Sequence, residues 1–144
     1  MSLEAVVSRS RRNLRFDPEQ VGAALDAKTG EYYLMDVEAE RQVGGDAVIA
    51  VERHLGNVST VRFLSDAVGR LLGRRDTLLQ TKVLFNGTHA GDTIEPVQFQ
   101  RLASELAEIR KSNVDRFPGL SEFIRNMEDL IKAAREEGNP IVFT

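Results

Sequence analysis

The chain contains no cysteine and no tryptophan, and its 144 residues include only two histidines and four prolines. Without cysteine, disulfide bonds, thiolate metal sites and a cysteine nucleophile are excluded together. With His54 and His89 as the only histidines and no HExxH spacing, a histidine-based metal centre has a poor ligand set. A nucleophilic serine elbow is missing as well, because no G-x-S-x-G pattern occurs. Neither VGGDAVIAV (43–51) nor GRLLGRR (69–75) places its glycines on a strand-to-helix loop with a Walker lysine, so a phosphate-cradling loop is absent. No apolar run approaches the roughly 18 residues of a membrane span, and the N-terminus lacks the apolar block of a secretory signal. The expectation is a soluble, untargeted, cytoplasmic protein with no membrane partner.

What is present reads as one globular domain. Hydrophobic residues at 42% and charged residues at 28% lie far from the disordered extremes. At this length folding hides about 68–70% of the unfolded surface, enough for a single unstapled core. The net charge of −3 is uneven: residues 1–16 carry Arg9, Arg11, Arg12 and Arg15 against Glu4, so the remainder carries −6. This divides the chain into a basic N-terminal arm (1–16) and an acidic domain (17–144). SRSRRNLR fits either a contact with nucleic acid or an arm that is solvated or folded back on the acidic body. Four arginines with no aromatic platform favour the latter.

The apolar periodicities place the elements. DPEQ (17–20) combines an N-cap aspartate, a proline at the first helical position and Gln20, predicting a three-turn helix with Val21, Ala24 and Leu25 inward and Gly30 as its stop. EYYLMDV predicts a strand over 31–38, and Gly44-Gly45 a hairpin turn that pairs a strand at 47–52 back on it. Val61, Leu64, Val68 and Leu71 recur at helical intervals up to Gly73. Residues 78–85 alternate as a strand, with Leu79, Thr81, Val83 and Phe85 on one face, followed by the turn signal Asn86-Gly87. Glu95-Pro96 opens a helix with the stripe Phe99, Leu102, Leu106 and Ile109. Leu120, Phe123, Ile124, Met127, Leu130, Ile131 and Ala134 line a long helix ending at Gly138, and IVFT is a terminal strand. The order predicts an α+β fold: a mixed, largely antiparallel sheet with helices packed against it. The aromatic and methionine positions fall on core faces, so no cofactor is expected.

The most chemically suggestive stretch is VLFNGTHAGDTIEP (83–96). THAGD supplies an imidazole and a carboxylate three residues apart, the two groups that acid-base chemistry needs. The same residues equally make turns, with Asp92 bonding nearby backbone N–H groups. One alternative is therefore a small hydrolase-like enzyme using His89 and Asp92. Another is a regulatory scaffold domain whose basic arm touches nucleic acid.

YYLMDV (32–37), the helix at VRFLSDAVGRLL, THAGD, the helix at PVQFQRLASELAEIR and the ending LIKAAREEGNPIVF together resemble a family of bacterial polymorphic-toxin immunity proteins. The shared elements are His89, Gly91 and Asp92, then Gly138, Pro140, Ile141 and Phe143, and the likeness spans residues 31–144. What the resemblance implies is a non-catalytic protein, without cofactor or metal, that binds and neutralises a cognate toxin. A basic nuclease suits the acidic body as that toxin, with His89, Asp92, Glu95, Glu105 and Glu108 as the partner-binding residues. For Glu95, complementing the helix dipole is an equally good account.

Overall fold

The computed structural model describes residues 2–144. The chain runs β1 (Ser2–Ser8), α1 (Pro18–Val21), β2 (Ala23–Leu25), β3 (Tyr32–Leu34), α2 (Val37–Val43), β4 (Ile49–Asn57) and α3 (Val58–Leu72). It continues through a π-helical turn (Leu79–Val83), β5 (Thr93–Ile94), α4 (Phe99–Arg110), α5 (Leu120–Glu137) and β6 (Ile141–Phe143). The fold is α+β: a four-stranded sheet in the order β4-β1-β6-β5, every pairing antiparallel, with helices packed against it, and a separate two-stranded β2-β3 sheet. No helix among the described residues is long and apolar enough to cross a membrane.

The first correction concerns the basic arm. SLEAVVS alternates so that Leu3, Ala5 and Val7 share one face, and all three are fully buried. As β1 this segment pairs with β4 from Ser2↔Asn57 to Ser8↔Ile49 and with β6 at Ala5↔Phe143 and Val6↔Val142, making it a central strand. Its four arginines follow the strand. There the chain lies against the end of α5, where Ser10 N and Oγ each donate to Glu137 Oε2 at 2.8 Å, Asn13 donates to the same oxygen and Arg12 reaches the Glu136 carbonyl.

The segment after Asp17 departs from the expected three-turn helix. Asp17 does cap it, accepting from Glu19 N at 3.0 Å, but Gly22 turns to φ +70 after a single turn and Ala23–Leu25 pair as a strand with Tyr32–Leu34. Asp26 closes this hairpin, accepting from Lys28 N through its side chain and from Gly30 N through its carbonyl. The strand expected over 31–38 shrinks to three residues because Asp36 caps α2, accepting from Ala39 N at 2.7 Å. The strand expected at 47–52 exists as part of β4, but its partner is β1 and not β3.

The strand expected at 78–85 is a π-helical turn. Thr77 Oγ1 accepts from Gln80 N at 3.1 Å, and a carboxylate from α4 binds the first amides, so the segment winds inward with Leu79 and Val83 buried and Thr81 exposed. Asn86-Gly87 forms no left-handed hairpin turn, since neither residue has a positive φ. Asn86 instead bonds Thr88 N, and Gly87 is a close approach: a Cβ there would lie 3.0 Å from the Val58 Cα.

The expected helices α3, α4 and α5 and the terminal strand β6 are all present, with the predicted stripes inward. Leu64, Leu106, Ile124 and Met127 meet Leu3 and Phe143 in one apolar core.

Candidate functional site

His89 sits where the 86–92 turn is fastened to β6. Gly91 N donates to the Phe143 carbonyl at 2.8 Å, and Phe143 N to the Asp92 carbonyl at 2.9 Å. This draws the imidazole between the rings of Phe85 and Phe143, each 4.4 Å away centroid to centroid, and leaves its side chain 3% exposed. Nε2 lies 2.8 Å from the Val83 carbonyl, an acceptor only, so Nε2 carries the proton. Nδ1 is buried without a hydrogen bond. The Asp92 carboxylate stands 3.4 Å from it, within ion-pair reach but out of hydrogen-bond alignment. Both ring nitrogens therefore face protein groups, whereas acid-base catalysis requires one to face substrate.

The five residues assigned to partner binding do not form one surface. His89 and Glu105 are buried, Glu105 to 4%. The Glu105 carboxylate accepts from Leu78 N at 2.9 Å and Leu79 N at 3.0 Å, holding the start of the π-helical turn, with Arg101 alongside. Its role is internal because two otherwise unpaired amides need an acceptor there. Asp92, Glu95 and Glu108 are on the surface. Glu95 starts the helical segment through Gln98, whose side chain accepts from Glu95 N, and it takes a hydrogen bond from Thr93. Glu108 lies roughly 20 Å further along by helical rise. It holds Arg74 in a two-pronged contact at 3.1 and 3.0 Å, and the arginine's hydrogen bonds keep its carboxyl below the usual carboxylate range. Among the described residues, no three His, Cys, Asp or Glu side chains gather closely enough to hold a metal ion.

A surface that sequence reading missed is the lobe inserted between β1 and β4. Residues 17–48 hold eight carboxylates against Lys28 and Arg41, a net charge of −6 within a chain of −3. The same lobe exposes Leu25 (52%), Tyr33, Met35 (62%) and Val37 (70%). Burial alternates from Tyr32 to Met35, so Tyr33 and Met35 turn outward while Tyr32 and Leu34 are half-buried. The charge signal was readable by subdividing the acidic domain. The apolar signal was not, because YYLM looks identical whether its outer face is covered or bare.

Compared with known proteins, the chain matches no protein-family model, no curated protein and no solved structure.

Proposed function

We propose that this chain is a non-catalytic, immunity-type protein that binds and neutralises a cognate protein toxin in the bacterial cytoplasm, the toxin presenting a basic surface such as that of a nuclease. The observation that supports this reading is the lobe, where Leu25, Tyr33, Met35 and Val37, four of the eight large apolar side chains exposed among the described residues, stand among a net −6 of charge. Apolar anchors ringed by charge of one sign suit an interface: the anchors supply affinity, while the charge steers a cationic partner and rejects anionic ones. A standard interface needs roughly 800 Å² per partner, and this reading draws that surface from the hairpin and the start of α2. The residues with potential chemistry point the same way, since the His89 ring and the Glu105 carboxylate are both engaged in holding the fold.

The test is co-expression with the product of the adjacent reading frame. The expected result is rescue of growth and co-purification of the two proteins, with Tyr33→Ser plus Met35→Ser weakening the complex by tenfold or more. A demonstrably toxic neighbour that this chain neither rescues nor binds would overturn the reading. Retention of rescue by His89→Ala, provided that variant folds, separates it from hydrolysis at the turn.

A further inference from the structure

Where the lobe meets the rest of the molecule there is a polar cavity of about 440 Å³, lined chiefly by Lys28, Thr81, Lys82, Phe85, Asp92 and Thr93. Its size falls in the range of small-molecule sites. Three observations converge on it. Two of the chain's four lysines meet there from distant segments, and among the described residues neither ammonium has a carboxylate within 4.0 Å. Lysine is a point charge suited to an oxyanion.

Second, the wall bearing Thr81 and Lys82 is the π-helical turn, closed by Leu84 N on the Leu79 carbonyl at 2.7 Å. Single π turns concentrate at functional sites. Third, the buried Nδ1 of His89 is the one buried side-chain polar atom among the described residues with no partner, and it stands behind Asp92. The Asp92 carboxylate, which lines the cavity, accepts no hydrogen bond among the described residues and so remains an acceptor there. The hydroxyl protons of Thr81 and Thr93 are already given to the Thr77 carbonyl at 2.8 Å and to Glu95 at 2.7 Å, so these oxygens also offer lone pairs. The cavity thus presents two cations for an anion and several acceptors for donors.

We infer that this cavity binds a small hydroxylated oxyanion, of the polyol-phosphate or hydroxy-acid class. Its anionic group sits on Lys28 and Lys82, its hydroxyls donate to Asp92 and the threonine oxygens, and its carbon frame rests on the half-exposed Phe85. Because Lys28 belongs to the hairpin loop and Lys82 to the π-helical turn, the bound ligand bridges lobe and body. This inference stands independently of toxin binding.

The experiment titrates the full-length protein with glycerol 3-phosphate, glycerate, inorganic phosphate and glycerol, following backbone amide signals of Thr81, Lys82, Gly91 and Thr93 and hydrogen exchange across 26–34. The expected result is saturable binding of glycerol 3-phosphate or glycerate, the tighter of the two identifying the anionic group. That binding is about tenfold tighter than for phosphate, and glycerol alone shows none, as hydrogen bonds to charged groups imply. Hairpin exchange slows on binding. Lys28→Met and Lys82→Met each weaken binding about tenfold, and Asp92→Ala removes the advantage over inorganic phosphate. Both lysines are exposed, so a thermal midpoint like that of the unaltered protein certifies these variants. The inference is overturned if neither hydroxylated anion saturates, if phosphate binds equally well, or if the lysine variants bind as tightly as the parent.

Discussion

From Leu55 onward the helices α3, α4 and α5 send side chain after side chain into the apolar core, whereas among the described residues none from 9 to 48 belongs to it. The body is held by burial shared among distant segments. The lobe is held by local devices: the carboxylates of Asp17, Asp26 and Asp36 each accept from a backbone N–H two or three residues on. The helix caps at Asp17 and Asp36 each contribute about 1 kcal/mol. The comparison teaches that acidity in the lobe serves folding and surface charge with the same residues, and that the lobe is free to vary its apolar face without disturbing the core. A unit of this kind opens locally at a lower free energy than the body.

The largest expected effect lies in the body. Leu106, 1% exposed, sits within the core, so Leu106→Ala is expected to cost about 2–5 kcal/mol in urea unfolding. Hydrogen exchange in the β2-β3 hairpin should be unchanged, since the hairpin opens without the core. Hairpin exchange that accelerates in step with global destabilisation would show lobe and body to be one cooperative unit.

Next comes a polar contact inside the body. Glu105 accepts from two buried amides through two oxygens. Glu105→Gln keeps the shape but turns an NH₂ donor onto one of those N–H groups, so a loss of about 2 kcal/mol is expected. Chemical denaturation checks this, with the amides of Leu78 and Leu79 losing protection first. The site also bears on what was legible. TLLQ at 77–80 is a Thr-x-x-Gln cap signature, visible in the sequence, yet the alternation of Leu79, Thr81, Val83 and Phe85 reads as a strand. The deciding acceptor, Glu105, lies far along the chain, where no local pattern announces it.

The same physics accounts for the rest of the reading. α3, α4 and α5 were legible because each carries an apolar stripe and a local boundary signal: Asn57 and Gly73 around α3, the Glu95–Gln98 capping box ahead of α4, and Gly138 after α5. The pairing of β4 with β1 was not, because small alternating residues such as Ala5 and Val7 look like a strand only once Leu55 and Phe143 close over them. His89 and Asp92 were found by residue type, but their roles depend on Val83 and on Phe143, which no spacing rule links to them.

A smaller effect is expected at the seam between the two regions, where residues 10–13 lie against the end of α5. Burial raises the Glu137 carboxyl pKa, but hydrogen bonds from Asn13 and Ser10 and the charge of Arg9 outweigh it and hold the group below its ordinary value of 4.5. A lowered folded value means stability that is fully present above 4.5 and is lost as pH falls through the folded value. Glu137→Gln should therefore cost about 1 kcal/mol at pH 7, with the gap between variant and parent closing toward acid pH. Unfolding curves across pH check it, and a gap that widens in acid would reverse the assigned sign.

The smallest effect is predicted at two exposed apolar side chains of the lobe. Met35 and Val37 touch no part of the core, so Met35→Ser with Val37→Ser should change unfolding free energy by no more than about 0.5 kcal/mol. In the body, apolar side chains are retained because removing them leaves a cavity. In the lobe that reason is absent, and leaving apolar surface bare in water has a cost in solubility. A doubly substituted protein as stable as its parent would leave binding as the reason for these two side chains. If instead the substitution unfolds the lobe, seen as lost exchange protection from Ala23 to Leu34, the residues are structural and the contrast between the two regions narrows.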